Sequence, residues 1–224
     1  MIILSISTSS DICSVALLKN ETCIQELNIS NAKTHSENLM PLIDSLLTMQ
    51  KISLQDIDLL ACDNGPGSFT GLRIGIATIK ALSAPFNIPI VCSSSLEGLA
   101  YNFSKSTNNI CSLIDAKNNQ VYCGIFNNNY KLIRDYLADD INAILPILEE
   151  YTPLSFVGNA VDIHKSVLPV GNSANDNTLH AKNIGISSYY KFLNGTSETA
   201  DDIFPMYLRK SQAERMKLLN DKNN

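Results

Sequence analysis

Gly65-Pro66-Gly67-Ser68-Phe69-Thr70-Gly71-Leu72-Arg73-Ile74-Gly75 joins a short apolar run, Leu59 to Cys62, to a stretch with helical apolar spacing from Phe69 to Ala84 that Pro85 closes. Closely spaced glycines at the start of a helix let backbone approach another group, so Gly65, Gly67, Ser68 and Thr70 are candidate contacts for an anionic cofactor. The spacing misses the standard phosphate cradles. Thr70 stands where G-x-G-x-x-G needs glycine, and the P-loop lysine pair is absent. The plainer reading is a tight strand-to-helix turn around Pro66, with Ser68 or Thr70 as helix cap. Beyond it, Gly71, Gly75 and Thr78 share one helical stripe, and Leu72, Ile76 and Ile79 share the next. A small-residue stripe admits a close neighbour, which serves a partner helix and an internal packing face equally well.

Upstream, residues 2 to 7, 12 to 18 and 23 to 29 are apolar runs separated by Ser-Ser-Asp and Lys-Asn-Glu turn chemistry, a three-stranded meander. Thr34 to Met49 follows with helical spacing through Leu39, Leu42, Ile43, Leu46 and Leu47. Thr34 and Glu37 fit a capping box, and Pro41 should kink the helix or lie near its first turn. Ile88 to Cys92 reads as a strand and Ser94 to Phe103 as a helix. The same order recurs loosely from Asn109: strands at 110 to 115, 120 to 126 and 130 to 136, a helix at 141 to 150, a strand at 154 to 157, and a short helix through Val167. Ser187 to Leu193 suggests a last helix. Two similar halves imply a structural duplication, with lobes at 1–105 and 106–200 and a terminal segment, 201–224, returning to the first lobe.

The 224 residues, 45% hydrophobic and 17% charged, describe a folded globular chain rather than a disordered one. A formal charge of −5 gives no footprint for gripping a phosphate backbone, so any RNA is expected to be held by something else. Neither a signal-peptide pattern nor a membrane-length apolar run is present, and a cytoplasmic protein is expected. The six cysteines contain no C-x-x-C pair and read as reduced packing residues.

Catalytic signatures are sparse. Ser93-Ser94-Ser95 is a helix cap rather than a nucleophile elbow, and Asp115 reads as a turn carboxylate capping local N–H groups. His35 has Leu39 four residues on, where a helical metal pair needs a second ligand; His164 and His180 show no ligand spacing. Arg209, Lys210, Arg215 and Lys217 form a modest basic cluster, read as a solvated helix.

Asn64 through Gly75 resembles the hallmark of the TsaB (YeaZ) family of tRNA threonylcarbamoyladenosine biosynthesis subunits, relatives of the actin-like ATPases. Further segments agree in order: Ile3 to Ser9 with Cys13 to Leu17, Thr34 to Pro41, Ser93 to Ala100, Ile114 to Lys117, and Pro205-Met206-Tyr207-Leu208-Arg209. The match spans most of the chain and thins between about 135 and 200.

The resemblance implies an α/β, two-lobed actin-like (ribonuclease H-like) fold, each lobe a mixed sheet flanked by helices. It implies a non-catalytic subunit that binds the catalytic subunit TsaD and supports threonylcarbamoyl transfer to N6 of the adenosine adjacent to the anticodon in tRNAs reading ANN codons. TsaE is a further partner, tRNA is engaged only through the complex, and a homodimer is expected when the chain is alone. Many relatives carry an Asp where this chain has Ser7; a hydroxyl is a poor Mg²⁺ ligand, so the chain is expected to hold no metal and no nucleotide by itself, with ATP or ADP at the interface with TsaD. The expected partner interface comprises His35, Leu39, Leu42, Leu46, Phe69, Gly71, Leu72, Arg73, Gly75, Ile76, Thr78 and Ile79, and Gly75→Leu is expected to abolish association while leaving the chain folded. The competing reading is an autonomous metallopeptidase or small-molecule kinase of the same superfamily.

Overall fold

The computed structural model describes residues 1–30, 34–103 and 106–209. The first meander consists of β1 (Ile2–Ser7), β2 (Cys13–Lys19) and β3 (Thr22–Ile29), paired antiparallel. Strand β1 is apolar almost throughout because both its faces are buried, whereas the edge strand β3 alternates. Parallel strands need a crossover, and two helices supply it. The helix α1 (His35–Gln50) and a 3-10 turn at Leu54–Asp56 lead to β4 (Leu59–Asp63), which lies parallel to β1. Next, α2 (Phe69–Ser83) leads to β5 (Ile90–Ser93), parallel to β4, before the short helix α3 (Ser95–Ala100). The resulting order is β3-β2-β1-β4-β5.

The second half repeats this plan with β6 (Asn109–Asp115), β7 (Gln120–Phe126), β8 (Leu132–Asp140), α4 (Ile141–Glu149), β9 (Leu154–Val157), α5 (Ala160–His164), β10 (Gly171–Ser173) and α6 (Ala181–Leu193). Its order, β10-β9-β6-β7-β8, is the first order run from the other edge, so the duplication read from the sequence is present in the topology. Each half is a five-stranded mixed sheet flanked by helices.

The last helix of each half crosses to the other sheet. Leu96, Leu99 and Ala100 of α3 pack with Ile110, Tyr122 and Phe126 of the second sheet. Ala181 and Ile184 of α6 pack with Ile3, Ala16, Leu18, Leu59 and Ala61 of the first. Helices α1 and α2 cover the opposite face of the first sheet through Leu39, Ile43, Leu46, Ile76 and Ile79. Boundaries at 105 and 200 therefore cut across the packing: the return to the first lobe begins with α6, not at 201. From there, Ile203 enters the first core and the Met206 amide donates to the Asn64 carbonyl at 2.6 Å.

Local differences have local causes. The last helix starts at Ala181 instead of Ser187; β8 starts at Leu132 instead of Tyr130, because Tyr130 belongs to the preceding turn with φ 60°, and it runs to Asp140. Thr34 donates its hydroxyl to the Glu37 carboxylate at 2.6 Å instead of accepting an amide, so the expected capping box is not formed there; Ser53 and Asp56 form one at the 3-10 turn. Pro41 lies inside α1. Among the described residues no helix is long and apolar enough to cross a membrane. Lys105, Lys210, Arg215 and Lys217 lie outside the described residues.

Candidate functional site at the cleft between the sheets

The two halves enclose a cavity of about 480 Å³. One wall is the turn after β1, Ser9 to Ile12, with Gly67, Ser68 and Phe69 at the start of α2. Opposite stand Ile114 to Lys117, Tyr122 and Asn159, while Leu99 and Asn177 to Leu179 close the base and Arg209 reaches the rim. The lining mixes apolar side chains such as Ile12, Phe69, Leu99 and Ile114 with convergent polar ones such as Asp11, Asp115, Asn159 and Asn177, a makeup compatible with a small polar ligand.

The strand-to-helix turn brings only part of the expected cofactor set to this cleft. Gly67 and Ser68 line it, and Ser68 caps α2 by accepting from the Gly71 amide at 3.2 Å. Gly65 is buried with φ 115°, beneath the Met206 carbonyl, and Thr70 is exposed outside the cavity lining. Ser94 caps α3 through the Leu96 amide at 3.2 Å, and Asp115 accepts from the Lys117 amide at 2.9 Å, both as the sequence suggests. Burial pushes the Asp115 carboxyl up, but its bonds from Lys117 outweigh this and hold it below the ordinary carboxylate value.

Behind the cleft wall lies a polar cluster that sequence reading missed. Asp63, at the end of β4 and 1% exposed, accepts from the Ser7 hydroxyl at 2.9 Å and the Thr8 amide at 3.3 Å. It also accepts a short bond from the Ser9 hydroxyl, and Ser95 approaches at 3.4 Å. Burial raises the carboxyl above its usual range against the pull of these donors. Asp63 thereby ties the end of β1 to β4 and to the start of α3. The available signal was an acid directly after the apolar run Leu59 to Cys62 and before Asn64-Gly65.

The small-residue stripe faces inward. A Cβ on Gly71 would stand 1.9 Å from the Thr8 carbonyl oxygen, and one on Gly75 would stand 2.4 Å from Thr8 Oγ1. That hydroxyl donates to the Gly71 carbonyl at 2.8 Å, so the close neighbour of the stripe is Thr8, directly after β1. Leu39, Leu46, Leu72, Ile76 and Ile79 are core residues, each at most 4% exposed. These five and the two glycines therefore present no side-chain surface to a partner. A leucine at 75 would collide with Thr8, which overturns the expectation that Gly75→Leu leaves the chain folded. Of the expected interface, Arg73 is exposed, and His35, Leu42, Phe69 and Thr78 are half-buried.

His35 engages the Ser10 carbonyl through Nε2 at 2.9 Å. Nearby, Tyr207 stacks on Phe69 with ring centroids 4.7 Å apart and receives a 3.0 Å bond from Arg73 Nε at its hydroxyl. The strap 203–209 thus clasps the start of α2 before Arg209 approaches the Ala116 carbonyl at 3.4 Å across the cleft.

The chain aligns with the tRNA threonylcarbamoyladenosine biosynthesis protein TsaB of Bacillus subtilis at 33% identity, over 96% of each chain. It belongs to the TsaB family. A family profile described as TsaD, tRNA N6-adenosine threonylcarbamoyltransferase, also matches residues 29–215, which marks the kinship between TsaB chains and that transferase. The fold matches a crystal structure described as an uncharacterized Pseudomonas aeruginosa protein with similarity to peptidase YEAZ. The TM-score is 0.82 at 24% identity, over 93% of this chain and 99% of that one. A more distant likeness, with TM-score 0.52 and 10% identity over 87% of this chain and 96% of the other, is to the activator of the 2-hydroxyisocaproyl-CoA dehydratase from Clostridium difficile, solved with bound ADPNP. The architecture is therefore the expected two-lobed α/β fold, each lobe a mixed sheet flanked by helices. The Ser7 hydroxyl donates to Asp63, so the carboxyl group at this point of the fold comes from β4.

Proposed function

We propose that this chain acts in tRNA threonylcarbamoyladenosine biosynthesis as a non-catalytic subunit that binds TsaD and supports threonylcarbamoyl transfer to N6 of the adenosine beside the anticodon of tRNAs reading ANN codons. The observation that carries this reading is the near full-length alignment with a protein named TsaB. TsaE is a further partner, tRNA is reached through the complex, and ATP or ADP belongs at the TsaD interface rather than to the chain alone. The metallopeptidase alternative loses support from geometry: His35 is committed to the Ser10 carbonyl and Leu39 is packed in the core.

The TsaD contact is assigned to the solvent side of α1 and α2, with His35, Leu42, Phe69, Arg73 and Thr78 from the expected set and exposed Met40 beside them. The test is co-purification of TsaD with Arg73→Glu and Met40→Glu, both at exposed sites, with circular dichroism checking the fold of Arg73→Glu because it also loses the Tyr207 bond. A contact near the interface centre costs about 2 kcal/mol or more when lost, roughly thirtyfold in affinity. Unchanged TsaD binding by both variants would remove α1 and α2 from the interface. The same surface pairs two copies when TsaD is absent, so sedimentation should show concentration-dependent dimerisation. Robust metal-dependent ATP turnover or peptide cleavage by the chain alone would favour the autonomous-enzyme alternative.

A further inference from the structure

Having passed from the first half to the second after α3, the chain returns through residues 174–180, and this return lines the cleft with Asn177, Thr178 and Leu179. At its end one side chain links the crossing to the first sheet through two carboxylates. His180 places Nδ1 3.2 Å from Glu26 Oε2 on β3 and Nε2 2.7 Å from Asp176 Oδ2. A neutral imidazole has one N–H and one lone pair, so it cannot donate to both carboxylates; only the imidazolium can.

We propose that His180 is a protonation-dependent clamp that fastens the second interlobe crossing to the first sheet and so sets the position of the cleft base.

The two carboxylates are not equivalent. Glu26 is anchored elsewhere: its Oε1 accepts from the Lys182 amide at 2.9 Å and the Ser14 hydroxyl at 3.4 Å, and its side chain is 11% exposed. Asp176 is 53% exposed, and its other partner is local, the Thr178 amide at 2.8 Å. When His180 loses its proton, the tautomer that keeps Nδ1–H retains Glu26, and the Asp176 bond is the one released. The segment then depends on Asn102, which donates to the Asp176 and Thr178 carbonyls at 2.8 Å each, and on Asn177, which accepts from the Gly158 amide at 3.0 Å. Among the groups facing His180, Glu26 comes from β3, Asp176 from the crossing and Lys182 from α6, its ammonium 3.8 Å from Glu26; Ser14 of β2 does not titrate.

Glu26 chiefly, and then Asp176, raise the His180 pKa above the ordinary 6.5, against the opposing effect of burial. The folded-state value exceeds the unfolded one, so the clamp contributes fully below 6.5 and is lost as pH rises through the raised value.

The test uses the full chain. Amide exchange at 176–181, corrected for intrinsic base catalysis, is followed from acid to mildly alkaline pH together with the His180 ring titration by NMR. Protection at Thr178 should fall with rising pH, by about tenfold for each unit by which the His180 midpoint exceeds its unfolded value. His180→Gln should show low, pH-independent protection there. Asp176→Asn, which keeps the imidazole, should move the His180 midpoint down and serves if the glutamine variant does not fold. Flat protection in the wild type, an unchanged pH dependence in His180→Gln, or an unmoved midpoint in Asp176→Asn would each overturn the clamp.

Discussion

Gly71 and Gly75 lie one helical turn apart on α2 and both abut Thr8, yet alanine should affect them differently. At 71 the new Cβ would sit 1.9 Å from the Thr8 carbonyl oxygen and 3.0 Å from its carbonyl carbon, so the backbone of the turn after β1 has to move. Overpacking against backbone costs about 1–3 kcal/mol, and at this distance the upper part of that range applies. Replacing glycine by alanine inside a helix returns about 1 kcal/mol. A net loss of about 1–2 kcal/mol follows for Gly71→Ala. At 75 the obstacle is Thr8 Oγ1, at 2.4 Å, the end of a side chain that can rotate away. Rotation forfeits the Thr8 bond to the Gly71 carbonyl, about 1 kcal/mol, which the helix gain nearly cancels. Urea and thermal denaturation of both variants provide the assay. At about 2–4 °C per kcal/mol for a chain of this size, Gly71→Ala should lower Tm by about 2–8 °C and Gly75→Ala should leave it within about 2 °C of wild type. Equal stability of Gly71→Ala and wild type, or a larger loss at 75 than at 71, would refute the inward reading of the stripe.

Asp63→Ala should cost about 2–4 kcal/mol in urea melts, since it leaves the buried Ser7 and Ser9 hydroxyls without their acceptor, whereas Asp63→Asn should cost less because the hydroxyls can turn to meet the amide. Burial raises the Asp63 pKa, so its ionised form opposes folding: this penalty is absent below the ordinary carboxyl value of 3.8 and complete above the raised one. The stability of wild type relative to Asp63→Asn should therefore fall as pH rises through that window, and a flat difference would contradict the burial. Thiol labelling at pH 8 should reach the half-buried Cys23 first, while Cys13, its pKa raised to about 11 by burial and then by Asp63, stays unlabelled until unfolding. Tyr207→Ala should remove the stack on Phe69 and the Arg73 bond, detected as faster exchange of the Met206 amide with little change in the far-UV spectrum.

Elements whose pattern is local were legible. The apolar runs of β1, β2, β6 and β7, the caps at Ser68 and Ser94, and the turn role of Asp115 follow from residue chemistry within a few positions. Helix α6 was half hidden because its buried side includes Asn183, Gly185, Ser187 and Ser188, which carry no apolar period. The stripe on α2 was visible but its direction was not, since spacing cannot tell a partner helix from Thr8. Asp63 escaped notice for a related reason: its partners Ser7, Ser9 and Ser95 come from β1, the turn after it and α3, and only the folded chain brings them together.

The crossing of α3 and α6 to opposite sheets bears on synthesis by the ribosome. The face of the first sheet that carries Ile3, Ala16, Leu18 and Leu59 receives its covering helix only when residues 181–193 have been made. At about 5–20 residues per second, the interval between Ser93 and Ala181 lasts roughly 4–18 s. During that time the nascent chain carries a finished set of strands with one oily side bare, a natural target for chaperones that hold emerging polypeptides.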